Sequence, residues 1–114
     1  MKLLIVEDNP AVRQVIKTIV GALADEVYEC EDGETALAAY QTHSPDVTLM
    51  DIELGRVDGI TATRRITAAD PAAYIIIVTD YDEIDLREAA LQAGARGYVL
   101  KENLLEMRRL LADR

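Results

Sequence analysis

Tryptophan and phenylalanine are absent from this chain of 114 residues, and cysteine occurs once. A single cysteine, Cys30, excludes an intrachain disulfide framework and a cysteine-based zinc site, and is typical of a small strand or core residue. Basic residues are also scarce, since 12 lysines and arginines stand against 21 acids and give a formal net charge of −9. This balance argues against a nucleic-acid-binding surface on the domain, because phosphate contacts require clustered lysine and arginine.

Long hydrophobic runs are missing as well. The apolar run Leu3–Val6 is interrupted by Glu7 and Asp8, so it falls short of the ~7–15 apolar residues of a secretory signal. The longest apolar run, 72–78, is too short to cross a bilayer. We therefore expect a soluble, cytoplasmic protein with no membrane association.

What the chain does contain is an alternation of short apolar runs and helical patterns. Half of the residues are apolar, which is enough for one packed domain over residues 1–114. The alternation predicts a doubly wound α/β fold with a five-stranded parallel sheet and right-handed crossovers. The expected strands are Leu3–Val6, Val27–Glu29, Val47–Met50, Tyr74–Val78 and Gly97–Leu100.

Capping signals predict five helices between and after these strands. Asn9 and Asp58 are expected N-caps, with Pro10 in the first turn of the first helix, and Gly94 is the expected end of the fourth. The helices are expected to begin at Asn9, Asp32–Gly33, Asp58, Ile84 and Asn103.

Two of these helices carry apolar stripes at helical spacing. The stripe of the first helix comprises Val12, Val15, Ile16, Ile19 and Leu23. The stripe of the last helix comprises Leu104, Met107 and Leu111, and Leu105 and Leu110 lie off it. Surplus apolar surface on a terminal helix suits either a broad contact with the core or a partner or dimer face.

Polar residues stand where four of the apolar runs stop. The carboxyl ends of parallel strands meet at one edge of a sheet, where ligands of open α/β sheets bind. Taken singly, each residue has an ordinary interpretation as a helix-capping acid, a loop residue or a solvated charge. Together they predict a site that holds a divalent cation and attracts a phosphoryl group. These residues are Glu7, Asp8, Asp51, Thr79 and Lys101.

Several motifs match one family in order and spacing. They are Leu-Ile-Val-Glu-Asp-Asn at 4–9, Asp-Gly-Glu-Thr-Ala-Leu at 32–37, Asp58-Gly59, and Gly-Ala-Arg-Gly-Tyr at 94–98 before Lys101. With these motifs the chain resembles the response-regulator receiver domains of two-component signalling over essentially its whole length. The resemblance implies a flavodoxin-like sheet of strand order 2-1-3-4-5 with five flanking helices.

The resemblance also implies a role for each site residue. Asp51 would be the phosphoacceptor, and Lys101 and the Thr79 hydroxyl would each bind a phosphoryl oxygen. Tyr98 would be the switch aromatic that responds to Thr79 from an outward rotamer. Mg²⁺ would be held by Asp8, Asp51 and the backbone carbonyl of Glu53, with Glu7 helping directly or through water.

The implied function is a phosphorylation-dependent switch rather than an enzyme that turns over an external substrate. Its phosphodonor would be a sensor histidine kinase, a phosphotransfer protein or a small phosphodonor. Its output face, formed by the fourth helix, fifth strand and fifth helix, would bind a downstream protein or domain, or a second copy of the chain.

Three positions depart from the family pattern: Glu7 replaces the more usual aspartate, Gly55 a common proline, and Asp80 a small residue. Because of Gly55 and Asp80, a receiver-like scaffold that no longer accepts phosphate stays open as an alternative. A haloacid-dehalogenase-like phosphatase also uses a strand-end aspartate and Mg²⁺, and Glu53 resembles its second acid. That class needs a substrate-enclosing cap, for which 114 residues leave no room. Nucleotide binding is disfavoured, since no glycine-rich phosphate loop follows any strand.

Overall fold

The computed structural model describes all residues, 1–114, as a five-stranded parallel sheet with helices on both faces. The strands are β1 (Lys2–Val6), β2 (Glu26–Cys30), β3 (Val47–Met50), β4 (Ile75–Thr79) and β5 (Gly97–Leu100). The helices are α1 (Pro10–Val20), α2 (Ala36–His43), α3 (Gly59–Ala69), α4 (Ile84–Gln92) and α5 (Glu106–Ala112). The strand order is β2-β1-β3-β4-β5, which confirms the predicted doubly wound fold.

The register of the sheet brings the strand ends level with one another. Val6 at the end of β1 pairs with Met50 at the end of β3. Thr79 at the end of β4 pairs with Leu100 at the end of β5. The residues that follow β1, β3 and β5 therefore start from the same edge of the sheet, beside the point where the strand order reverses.

The core consists of two clusters, one on each face of the sheet. One packs the sheet against α2, α3 and α4, and the other packs it against α1 and α5. Every residue of β4 is buried, as expected for a central parallel strand covered on both faces. None of the helices combines the length and apolar character needed to cross a membrane.

Two helices begin later than the sequence predicts. The Asp32 carboxylate accepts from the backbone N–H and the hydroxyl of Thr35, which makes a turn before α2 begins at Ala36. After β5, residues 101–103 form a 3₁₀ turn, and α5 begins at Glu106 rather than at Asn103. The Asn103 amide donates to the Glu106 carboxylate and does not accept from the backbone, so it is no N-cap.

The apolar stripe predicted for the first helix reaches Leu23, but α1 ends at Val20. A 3₁₀ helix follows over Gly21–Leu23, so Leu23 does not lie on α1. Val15 and Leu23 are exposed, at 48% and 37%, instead of buried. In the last helix Leu110 packs against the core, whereas Leu105 is 63% exposed. The predicted stripe of this helix, Leu104, Met107 and Leu111, packs against the same cluster.

The N-terminus of α3 packs directly against the backbone that follows β3. The Asp58 side chain caps the helix by accepting from Thr61 N at 2.8 Å, as the sequence predicts. Gly59 N donates to Ile52 O at 2.8 Å. A Cβ at Gly59 would lie 1.7 Å from the carbonyl oxygen of Asp51, so only glycine allows this approach.

We therefore expect Gly59→Ala to destabilise the fold by roughly 3 kcal/mol or more, because backbone atoms on both sides would have to separate. The measurement is the free energy of unfolding in urea. Gly21→Ala is the matched control, since a Cβ at Gly21 meets nothing within 4 Å and its φ of −58° suits alanine. Equal stability of the two variants would contradict the close approach of α3.

Candidate functional site

Three carboxylates that the sequence places at strand ends lie together in the structure. Glu7 and Asp8 follow β1, and Asp51 follows β3. One carboxylate oxygen from each of the three lies within 4.8 Å of the others. Glu7 and Asp51 are only 1% and 4% exposed, whereas Asp8 is open to solvent. Such crowding of like charges out of water is costly unless cations balance them.

The Asp51 carboxylate is held on one side and approached by a cation on the other. Its Oδ1 accepts from Ile52 N at 2.8 Å, and its Oδ2 lies 3.4 Å from the Lys101 ammonium. Burial and the neighbouring Glu7 charge raise the pKa of Asp51 to about 7, although Lys101 opposes the shift. This carboxyl therefore holds a proton far more readily than an ordinary aspartate.

Lys101 lies closer to Glu7 than to Asp51, with 2.8 Å from its Nζ to Glu7 Oε1. Burial by itself would lower the pKa of Lys101, but the carboxylates of Glu7, Asp51 and Asp80 outweigh burial and leave the pKa raised. Glu7 Oε2 accepts from Asn9 N at 3.1 Å, while the buried Oε1 has no hydrogen-bond partner. The contact to Lys101 is thus an ion pair without directed hydrogen-bond geometry.

These carboxylates border a cavity of about 520 Å³ that is open to solvent. Glu53 also borders it, and its backbone carbonyl accepts no backbone hydrogen bond. A buried carboxylate oxygen without a hydrogen-bond partner, two further carboxylates and a free carbonyl form a set of hard oxygen ligands, which is the set that Mg²⁺ prefers. The residues present therefore fit this metal.

Thr79 is the last residue of β4, is fully buried, and does not border the cavity. Its Oγ1 accepts from Tyr81 N at 3.2 Å, which leaves the hydroxyl proton available for donation. The Tyr98 hydroxyl donates to Tyr81 O at 2.7 Å. The Tyr98 ring packs against the core on the α2–α4 face and is half-buried, so it is not turned outward as the resemblance suggested.

Tyr81 thus connects Thr79 and Tyr98 through the two polar groups of its own backbone. The sequence does not predict this role, because any residue type can make contacts through its backbone. The only available signal was that Tyr81 stands two residues after Thr79. Arg87 was not predicted from the sequence either; its guanidinium lies 4.5 Å from the centre of the Tyr98 ring and pairs with Asp82.

The two other departures from the family pattern also border the cavity. Gly55 has φ +91°, a conformation that proline cannot adopt, so the loop after Asp51 follows a different path from one containing proline there. Asp80 is exposed at the cavity mouth and adds a negative charge to it.

Comparisons with known proteins identify one family over almost the whole chain. A family model described as response regulator receiver domain matches residues 3–112. Chemotaxis protein CheY of Bacillus subtilis (strain 168) is 38% identical over 101 residues, which are 88% of this chain and 84% of that protein. Regulatory protein AtoC of Escherichia coli (strain K12) is 33% identical over 99% of this chain, which spans only 24% of AtoC.

Solved structures show the same similarity in three dimensions. A two-component response regulator of the LuxR family from Aurantimonas sp. SI85-9A1 superimposes with a TM-score of 0.87 at 32% identity, covering 99% of this chain and 86% of that one. A CheY-like receiver domain protein from Methanospirillum hungatei JF-1 superimposes with a TM-score of 0.89 at 25% identity, covering 98% and 90%. The chain belongs to the response regulator receiver domain family of two-component signalling.

Proposed function

We propose that this chain is a phosphorylation-activated switch of a two-component phosphorelay, in which Asp51 accepts the phosphoryl group. The observation that carries the proposal is the placement of Asp51, buried at the cavity floor with Lys101 at 3.4 Å and two further carboxylates around it. The donor is a sensor histidine kinase, a phosphotransfer protein or a small phosphodonor such as acetyl phosphate.

In the transfer, an Asp51 carboxylate oxygen forms a bond to phosphorus while the bond from phosphorus to the leaving group of the donor breaks. The leaving group retains the bonding electron pair: acetate departs as the anion, whereas the imidazole of a phosphohistidine takes a proton from solvent. The Ile52 N–H fixes the orientation of the carboxylate through its 2.8 Å hydrogen bond. Transfers of this kind depend mainly on positioning and on stabilisation of the phosphoryl oxygens.

Asp8, Asp51 and the Glu53 carbonyl would hold Mg²⁺, with Glu7 contributing directly or through water. When bound, the metal neutralises the repulsion among the carboxylates and the charge of the incoming phosphoryl oxygens. Glu7 differs from the usual aspartate by one methylene, and its Oε1 lies 2.8 Å from Lys101. Lys101 would therefore exchange its contact with Glu7 for one with a phosphoryl oxygen.

The response to phosphorylation would pass through Thr79, Tyr81 and Tyr98. Because Thr79 does not border the cavity, its hydroxyl would move towards a phosphoryl oxygen in order to donate to it, and this movement would disturb its contact with Tyr81 N. Tyr81 O is the acceptor of the Tyr98 hydroxyl, so the change would reach β5. Because Tyr98 is already packed inward, phosphorylation would stabilise or adjust that packing instead of creating it.

The output would be read at the face formed by α4, β5 and α5, by a downstream protein, a domain or a second copy of the chain. This face carries apolar side chains that the core does not cover. Ile84 and Leu91 on α4 are each 70% exposed, and Leu105 before α5 is 63% exposed. Scattered exposed apolar residues are common, but one isoleucine and two leucines among the elements of the proposed output face fit a binding surface.

The first test is phosphorylation of Asp51 itself. With Mg²⁺ and acetyl phosphate, we expect the intact mass to rise by one phosphoryl group, and Asp51→Asn to show no rise because it lacks the nucleophile. Asp46→Asn, which changes an exposed aspartate before β3, is the matched control and should behave as the unmodified protein. An unchanged mass of the unmodified protein would favour the receiver-like scaffold.

The second test is the pH dependence of stability without metal. The pKa of Asp51 lies at about 7 in the folded protein, above its unfolded value, so the folded state binds the proton more tightly. Stability from this group is present at low pH and is lost as pH rises from ~4 to about 7. Asp51→Asn should therefore exceed the unmodified protein in unfolding free energy, by on the order of 2 kcal/mol at ~pH 8, with a smaller gap at ~pH 4.

Urea unfolding in a buffer containing a chelator measures this difference. Glu102→Gln, which removes one exposed carboxylate, is the control for net charge and should leave the pH profile unchanged. Parallel pH profiles of the unmodified protein and Asp51→Asn would refute the raised pKa.

The third test concerns the switch. Thr79→Ala should still gain the phosphoryl group, but the ring resonances of Tyr98 should no longer shift on phosphorylation, because the hydroxyl that moves is gone. Thr79→Ser keeps a hydroxyl and should retain most of the shift. Nuclear magnetic resonance of the phosphorylated proteins checks both variants, and a Tyr98 response that Thr79→Ala leaves intact would remove Thr79 from the switch.

A further inference from the structure

Arg13, near the N-terminus of α1, contacts the backbone of the acidic pair. Its Nη1 donates to the backbone carbonyl oxygen of Glu7 at 2.8 Å. Its Nε donates to Glu29 Oε1 on β2 at 3.0 Å. The Arg13 side chain is only 15% exposed, so it lies between α1, the end of β1 and β2 rather than in solvent.

The carbonyl that Arg13 binds belongs to the peptide that joins Glu7 to Asp8. Fixing this peptide plane fixes the N–Cα bond of Asp8, and so limits the directions in which the Asp8 side chain can leave the backbone. The Glu7 carboxylate has contacts of its own, to Asn9 N and to Lys101. The Asp8 carboxylate is exposed, and no hydrogen bond or ion pair of the structure involves it. Its placement therefore depends on the backbone that carries it.

The guanidinium is well suited to this task because its donors lie in one rigid plane. Glu29 fixes that plane through Nε while Nη1 reaches Glu7 O. Lys17 pairs with the other oxygen of the same Glu29 carboxylate at 3.2 Å but has no contact with Glu7. Arg13 and Lys17 thus share Glu29 as a partner, but only Arg13 also contacts the site.

We propose that Arg13 is a positioning residue for divalent-cation binding: through its hydrogen bond to Glu7 O it holds Asp8 in the direction needed to join Glu7 and Asp51 around the ion. This inference rests on the proposed function, since it concerns the metal that phosphorylation of Asp51 requires. Arg13 contacts neither the ion nor the phosphoryl group and acts only through the backbone. Residues that orient metal ligands in this way commonly contribute tenfold or more to affinity.

Positioning and simple electrostatics make opposite predictions here. A positive charge near the site repels a cation, so if Arg13 acted by charge alone, its removal would strengthen Mg²⁺ binding. If Arg13 holds the Glu7–Asp8 peptide in place, its removal weakens binding despite the loss of that repulsion. The sign of the change in affinity therefore separates the two roles without reference to phosphorylation.

The experiment is a Mg²⁺ titration of the ¹⁵N-labelled full chain, followed through the backbone amide resonances of Glu7, Asp8 and Asn9. We expect Arg13→Gln to raise the Mg²⁺ dissociation constant by about tenfold. Lys17→Gln, which removes a charge from the same Glu29 carboxylate, should leave it within about twofold of the unmodified value because the exposed pair is screened. Arg13→Gln binding as tightly as Lys17→Gln, or more tightly, would overturn the inference.

Two further variants keep the test decisive if Arg13→Gln folds poorly. Arg13→Lys retains the charge but not the planar fork, so it should still bind Mg²⁺ more weakly than the unmodified protein. Glu29→Gln keeps Arg13 but weakens the contact that orients its guanidinium. It should therefore weaken Mg²⁺ binding less than Arg13→Gln does. If Arg13→Lys bound Mg²⁺ with normal affinity, the planar guanidinium would not be required. Failure of the unmodified protein itself to bind Mg²⁺ would instead overturn the metal site of the proposed function.

Discussion

Two buried carboxylates and one ammonium share the carboxyl edge of the sheet, and the rest of the site depends on how their charges balance. Glu7 and Asp51 lie almost wholly out of water, and Lys101 is the only cation among the residues that border their cavity. Removing two negative charges from water against one positive charge leaves the site short of positive charge. Burial and the neighbouring Glu7 charge raise the pKa of Asp51, and a bound divalent cation would supply the missing positive charge.

In the proposed switch, phosphorylation would connect the site to the surface. The oxygens of a phosphoryl group on Asp51 would require hydrogen-bond donors. Thr79 lies fully buried at the end of the neighbouring strand, and its hydroxyl is available to donate a hydrogen bond. Tyr81 carries two contacts in its backbone, one to Thr79 and one to Tyr98. A change at an interior hydroxyl can therefore reach β5 and α4 without any long displacement of the chain. Because α3 packs closely on the Asp51 backbone, the backbone that carries the phosphoacceptor has little room to move.

Most of the fold followed from local pattern. Apolar runs of strand length, the N-caps Asn9 and Asp58, and Gly94 with its φ of +107° all lie where the sequence places them. The errors lie at the helix starts after β2 and β5. The Asp32 carboxylate binds the Thr35 backbone and delays α2, and a 3₁₀ turn over residues 101–103 precedes α5. The exposure of Val15 could not be predicted either, because a helical stripe shows which residues share a face but not how much of that face a neighbouring element covers.

By itself, the sequence determined the parallel α/β architecture, its level strand ends and the identity of the polar residues placed there. Each of these is a property of residue order, since periodicity and capping act over a few neighbours along the chain. Only the tertiary structure decided which of those polar residues touch. It paired Lys101 with Glu7 more closely than with Asp51, packed Tyr98 inward, and brought Arg13 to the Glu7 carbonyl. The Lys101 and Tyr98 contacts join residues far apart in sequence, and the Arg13 contact, six residues along the chain, is made to a backbone atom that every residue shares, so residue type alone does not encode them.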